Sequence, residues 1–281
     1  MKLKKLLCIC LAALVLSACS TASPENTTTS TTAGSDTMLF KDRTYNILFI
    51  GNSYTFYNDM PTVYFEPMAK LCGYDVRVTT ITKGAYTLEK FADPADAYGK
   101  MVATALSAND AFDFVILQEQ SARPAIAPDA FYTAVRTLAE KIRAVGAEPI
   151  LYATWGRQTG SETLTKYELT NESMTYKLAA AYSAIGHELD IPVMHAGLAF
   201  YQVNTDSSIG LYNADLSHPS TEGSYLAAMI LLCGIFGIDP LTAPLSGPLT
   251  PEDDAIVRQA VANALLSPDI PEEYHTSSAI E

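Results

Sequence analysis

Positive charge is the scarcest property of this 281-residue chain. Lys and Arg total 18 against 31 Asp and Glu, a formal net charge of −13. Leaving out residues 1–18, which carry Lys2, Lys4 and Lys5 and no acid, takes the balance to −16. A surface that acidic repels phosphate backbones, so nucleic acid is excluded as an expected partner. Cysteine is scarce too. Of five, Cys8 and Cys10 lie in the first apolar run, leaving Cys19, Cys72 and Cys233. Three do not make a disulfide framework, and no C-x-x-C pair occurs. Cys72 and Cys233 pair only if their helices are neighbours; buried free thiols are the expectation. His187, His195 and His275 show no ligand spacing, so neither a metal nor another cofactor is expected. Charged residues make up only 17%, while 48% are hydrophobic, which excludes a disordered chain.

Long apolar runs are also missing. The run from Leu6 to Leu16, behind the three N-terminal lysines, is roughly half the ~20 residues a membrane-spanning helix needs. It ends in Leu16-Ser17-Ala18-Cys19, which resembles a bacterial lipobox. That implies a signal peptide over 1–18, cut before a lipidated Cys19; an ordinary secretory signal beside an incidental cysteine is the alternative. Residues 19–37 are rich in Ser and Thr and too polar to bury a core, so they read as a tether. A domain over 38–281 follows, held outside the cytoplasm on the bacterial envelope. Nothing in the chain calls for an obligate protein partner.

Within that domain strand and helix signals alternate. Apolar or β-branched runs at 45–51, 75–82, 113–118, 148–154 and 191–195 predict five strands. Helices are expected at 59–71, in pieces over 86–106, along the stripe Phe131, Val135, Leu138, Ile142 and Val145, and ending near His187. Two more follow at 221–236 and after Thr250-Pro251, the latter turning Ile256, Ala260, Val261 and Leu265 inward. Five βα units of this spacing predict a doubly wound parallel sheet with helices on both faces. Ligands bind such sheets beyond the carboxyl ends of the strands, so the residues there carry the information.

Gly51-Asn52-Ser53-Tyr54-Thr55 follows the first strand. A serine on a tight strand-to-helix turn exposes its hydroxyl beside backbone N–H groups, as a nucleophile requires. Taken alone, Ser53 reads more simply as a helix cap. Neither the α/β-hydrolase G-x-S-x-G elbow nor a Walker motif is present. Asp215-Leu216-Ser217-His218-Pro219 precedes the last apolar helix. An acid three residues before a histidine can hold the ring's Nδ1–H and leave Nε2 free as a base. Taken alone, it reads more simply as a turn aspartate beside a surface histidine.

Taken together, Gly51-Asn52-Ser53 early, Gly84 after strand two and Asp215-x-x-His218 late resemble the SGNH (GDSL-type) hydrolase superfamily over roughly 45–236. Leu-Gln-Glu-Gln-Ser and Asp-Leu-Ser-His-Pro-Ser-x-x-Gly-Ser-Tyr resemble most closely an SGNH-like bacterial lipoprotein branch of unknown function. The resemblance implies a three-layer α/β/α sandwich around a five-stranded, flavodoxin-like parallel sheet. It implies Ser53 as nucleophile, His218 as base and Asp215 as orienting acid, with the Ser53 and Gly84 amides in the oxyanion hole. The superfamily's Gly-x-Asn-Asp segment is missing after strand three, and Asn52 stands where aspartate is usual. Gln118 is the expected substitute donor, with Gln120 on the same strand face as the competitor. Asn52, Tyr54 and Trp155 are expected to meet substrate, since flat aromatic faces suit sugar rings. The expected activity is a serine esterase removing acetyl or other short acyl groups from carbohydrate. A non-catalytic glycan-binding lipoprotein and an acyltransferase are the alternatives.

Overall fold

The computed structural model describes residues 41–108 and 112–275. The signal sequence, Cys19 and the Ser/Thr-rich tether lie outside the described residues. Five strands, β1 (Thr44–Gly51), β2 (Asp75–Thr82), β3 (Phe114–Leu117), β4 (Glu148–Ala153) and β5 (Val193–His195), pair in the order β2-β1-β3-β4-β5. Every pairing is parallel. β1 explains the arrangement: Tyr45, Ile47 and Phe49 enter one core while Leu48 and Ile50 enter the other. A strand apolar on both faces must be covered on both.

The helices do this covering. α1 (Ser53–Phe56) follows β1, and a π-helical stretch (Met60–Phe65) leads into α2 (Glu66–Leu71). Then come α3 (Leu88–Ala92), α4 (Ala97–Ser107), α5 (Arg123–Ile126), α6 (Pro128–Ala144), α7 (Glu162–Lys166) and α8 (Asn171–Leu189). α9 (Ala196–Asp206), α10 (Thr221–Phe236) and α11 (Pro251–Leu266) complete the series. Residues of α2, α9, α10 and α11 join Tyr45, Ile47 and Phe49 in one core. Those of α3, α4, α6 and α8 join Leu48 and Ile50 in the other. The result is an α/β/α sandwich. α10 is buried nearly all round, so it lies inside its layer, consistent with its unbroken apolar run.

Three expectations need correcting. The helix expected over 59–71 enters through the π-helical stretch, because Asn58 and Asp59 take left-handed φ values of 54° and 49°. α9 was not expected: its sequence, Ala-Gly-Leu-Ala-Phe-Tyr-Gln-Val, gives a weak helical stripe and abuts β5 with no intervening turn. α11 turns Val257 inward with Ala260 and Val261, while Ile256 is exposed and Leu265 only partly buried. Cys72 and Cys233 are free and buried, and burial pushes the Cys233 thiol up to about 12. No helix among the described residues is long and apolar enough to cross a membrane.

Candidate active site

The strand order reverses direction between β1 and β3, and the cleft opens there, beyond their carboxyl ends. Gly51 closes β1 because no side chain fits. A Cβ there would stand 2.4 Å from Thr55 Oγ1 and 2.7 Å from Gln118 Oε1. Asn52 then caps α1, its Oδ1 accepting the Tyr54 N–H at 3.2 Å while its Nδ2 donates to the Tyr86 carbonyl at 3.0 Å. With Asn52 as the cap, the Ser53 hydroxyl is released from capping. It lies 2.8 Å from Nε2 of His218.

The other half of the site is a tight turn. Asp215 Oδ1 accepts the Ser217 and His218 amides at 3.0 and 2.9 Å, and its Oδ2 is 2.5 Å from His218 Nδ1. Leu216 takes a left-handed φ of 62° to let both amides reach one oxygen. Burial alone would raise the Asp215 carboxyl. The bonds from the His218 ring and from the two amides outweigh it and hold the group below the usual carboxylate range. The imidazole is stacked on Tyr57, with centroids 4.5 Å apart and planes 15° apart, and meets the edge of Tyr54. Ring orientation is thus set from its Nδ1 side, by the stack on Tyr57 and by the T-shaped contact with Tyr54.

The cleft, about 420 Å³, is walled by Asn52, Ser53, Gly84, Gln120, Arg157 and His218, among others. Nothing lies within 4 Å of a Cβ built on Gly84, so this residue presents open space to the cleft. Gln118 is not in the wall. It is fully buried, its Oε1 accepting the Asn52 N–H and the Thr55 hydroxyl at 2.9 Å each and its Nε2 donating to the Glu119 carbonyl. A glutamine one residue past β3 still lies beneath the turn, so this side chain braces the Ser53 turn and does not reach the cleft. Gln120, two residues on, does reach the wall.

Trp155 is likewise displaced from its expected place. It is fully buried, stacked between Tyr54 (4.8 Å) and Phe200 (3.9 Å), and its Nε1 donates to the Ser217 carbonyl at 3.1 Å. Tyr54 borders the cleft, but its hydroxyl is tied to Ser217 Oγ at 2.9 Å. These aromatics are the floor under the Asp215–His218 turn, and they offer no flat face to a sugar. Sequence reasoning placed substrate on them because aromatic type does not reveal which side is covered.

Two residues escaped that reasoning. Glu119 is a fully buried carboxylate two residues past β3, and Arg157 lies four residues past β4. Both sit just past strand ends, the position the parallel sheet marks out. Glu119 Oε1 accepts the Leu88 and Gln120 amides at 3.1 and 2.6 Å, tying the β2–α3 connection to the Gln120 wall. Burial pushes its carboxyl up to about 7, against the opposing pull of those amides. The folded state therefore holds this proton between the ordinary value of 4.5 and about 7, where the unfolded chain has lost it. Its contribution favours folding most at low pH and fades as pH rises through that window, by about 3 kcal/mol at most. Denaturant unfolding should therefore show Glu119→Gln, which keeps the acceptor oxygen and carries no charge, losing that share of the slope between pH 4.5 and 7.5. An unchanged slope would rule out Glu119 as its source.

No family model matches the chain, and no curated protein does. A solved structure from Slackia heliotrinireducens, named as an SGNH hydrolase, is 33% identical; the match covers 68% of this chain and 98% of that one, with a TM-score of 0.59. This chain belongs to the SGNH hydrolase family. A DUF4886 family protein from Bacteroides uniformis shares the fold at 20% identity and a TM-score of 0.71, over 82% of this chain and 98% of that one. Within this SGNH hydrolase, the asparagine absent from the sequence leaves Gln120 as the wall residue nearest in sequence to the end of β3. Among the described residues no cluster of His, Cys, Asp or Glu is arranged to hold a metal.

Proposed function

We propose that this SGNH hydrolase is a serine esterase that removes short acyl groups, acetyl above all, from carbohydrate. The observation that carries the reading is the unbroken relay from Asp215 Oδ2 through His218 to Ser53 Oγ, with spacings of 2.5 and 2.8 Å. Both are hydrogen-bond distances, and the base is oriented by a third group, as nucleophile activation requires. In the reaction, Ser53 Oγ attacks the ester carbonyl while His218 Nε2 takes the hydroxyl proton. The same proton then passes to the departing alcohol oxygen as the C–O bond breaks, leaving an acyl-Ser53. Water, deprotonated by His218, releases the acid and restores the serine.

The cleft wall supports the substrate class. Asn52, Ser53, Gln120, Ser121, Arg157, Asp215, Ser217 and His218 bring hydrogen-bonding groups to it, while the aromatic residues beneath are packed against one another. A hydroxyl-rich alcohol finds hydrogen-bond partners on these side chains. Support for carbohydrate thus comes from these polar groups. The Ser53 and Gly84 amides, with the Gln120 side chain, are the proposed oxyanion donors.

Purified residues 38–281 should hydrolyse 4-nitrophenyl acetate and release acetate from acetylated oligosaccharides. Failure on every ester, with retained binding of the sugars, would favour a glycan-binding role. Gln120→Ala should lower kcat by about 10²–10³-fold with little change in KM. An unchanged kcat would leave the hole to the two backbone amides. The Leu16–Cys19 motif and the lysine-led leader support anchoring on the envelope through a lipidated Cys19. Cys19→Ser should release the protein from membranes or leave the leader uncut, as fractionation and N-terminal mass spectrometry would reveal.

A further inference from the structure

We propose that Arg157 makes this cleft selective for an anionic substrate, an ester borne by a sugar that also carries a carboxylate. The proposal rests on the esterase reading and names the substrate class of that same site.

Arg157 is the single cation among the residues that wall the cleft, on the rim shared by Ser53, Gln120 and His218. Its guanidinium is under-used. Nη2 donates to Ser121 Oγ at 2.9 Å, while Nε is buried and has no acceptor. Five of the other six arginines, all but Arg77 on β2, hold a carboxylate or backbone carbonyls. Arg43, Arg123, Arg136 and Arg258 each hold a carboxylate, and Arg143 holds two backbone carbonyls. Arg157 has no such ion pair among the described residues, although this is an acid-rich chain. A guanidinium has five donors in a planar fork, and one that lines a cleft with a single hydrogen bond to the described residues matches a group that accepts in the same plane.

Its position is also fixed before any ligand arrives. The guanidinium carbon stands 5.8 Å from the centre of the Tyr54 ring, and Ser121 holds one end of the fork. The backbone beneath is pinned, because the Arg157 carbonyl accepts from Asn171 Nδ2 at 2.8 Å. Little rotamer entropy therefore remains to be lost on binding. The charge of Asp215, in the same wall, is already engaged by His218 and two amides. The guanidinium is the one cation of a wall whose own carboxylate, Asp215, is hydrogen-bonded elsewhere, and a planar ligand carboxylate fits its fork. On a protein of net charge −13, a carboxylate-bearing ligand needs such a local cation to be retained.

The test compares kcat/KM for an acetylated methyl glucuronoside with that for its neutral methyl ester, which has the same ring and the same acetyl group. Wild-type protein should prefer the acid by about 10- to 100-fold, the range of a charge-assisted hydrogen-bonded contact. In Arg157→Met the ratio should fall to about one whatever the absolute rate. Arg157→Lys, with charge but no fork, should keep an intermediate ratio. A wild-type ratio near one, or a preference that survives in Arg157→Met, overturns the inference. If Arg157→Met does not fold, or if neither sugar is turned over, inhibition of wild-type 4-nitrophenyl acetate hydrolysis decides. Methyl glucuronoside should then inhibit at a concentration at least tenfold below methyl glucoside, and equal inhibition overturns the inference. Absence of 4-nitrophenyl acetate turnover by wild-type protein defeats the esterase reading instead, and is thereby distinguished.

Discussion

Ser53→Ala should lower kcat on 4-nitrophenyl acetate by about 10⁶-fold while leaving the unfolding midpoint nearly unchanged. The two halves of this expectation separate the readings the sequence left open. Were Ser53 the helix cap, its loss would cost about 1 kcal/mol of stability and little activity. The cap is Asn52, whose Oδ1 takes the Tyr54 amide, and the Ser53 hydroxyl faces His218 Nε2 at 2.8 Å. Removing it deletes the atom that bonds to the acyl group, so only the rate supplied by binding and by the oxyanion donors remains. A serine-directed phosphonate should label wild-type protein at Ser53 and leave the alanine variant unlabelled. Full turnover by Ser53→Ala would end the covalent mechanism.

His218→Ala should cost nearly as much as Ser53→Ala, and Asp215→Asn about 10⁴-fold. The difference in size follows from the roles. His218 moves the proton in both halves of the reaction, whereas Asp215 sets the tautomer and the ring's orientation. An asparagine keeps an acceptor for the Ser217 and His218 amides but presents either N–H or a neutral oxygen to Nδ1, so Nε2 is left protonated or weakly basic. The Ser53→Ala/His218→Ala double variant should be no slower than the worse single one, because the members act as a unit. Independent, additive losses, or a mild effect of His218→Ala, would show that the 2.8 Å contact is not a catalytic one.

Much of the frame was legible because its signals are local. Five short apolar strands alternating with helical stripes admit few arrangements, since strands apolar on both faces must lie between helix layers and crossovers must be right-handed. β2 and α10 fall where the sequence placed them, at Asp75–Thr82 and Thr221–Phe236. Ser53, Asp215 and His218 could be named because strand ends and a three-residue acid-to-histidine spacing are read along the chain. Their meeting could not. Ser53 and His218 are separated by 165 residues, and tertiary contacts of the Asp215–His218 turn with Tyr54, Tyr57 and Trp155 close the gap.

What tertiary structure alone decided was the direction in which side chains are spent. Gln118 and Gln120 have the spacing of one strand face, yet the first is sealed under the Ser53 turn and the second reaches the cleft, because β3 ends at Leu117 and strand alternation no longer governs them. Trp155 has the composition of a sugar platform and is buried between Tyr54 and Phe200. Glu119 and Arg157 are ordinary charged residues in sequence; one becomes a buried clamp and the other the cleft's cation, according to what packs over each. Chain order and periodicity act over a few residues and so determine elements and their sequence of ends. Burial, hydrogen-bond partners and exposed faces depend on segments far away in the chain, and those are set only when the layers close.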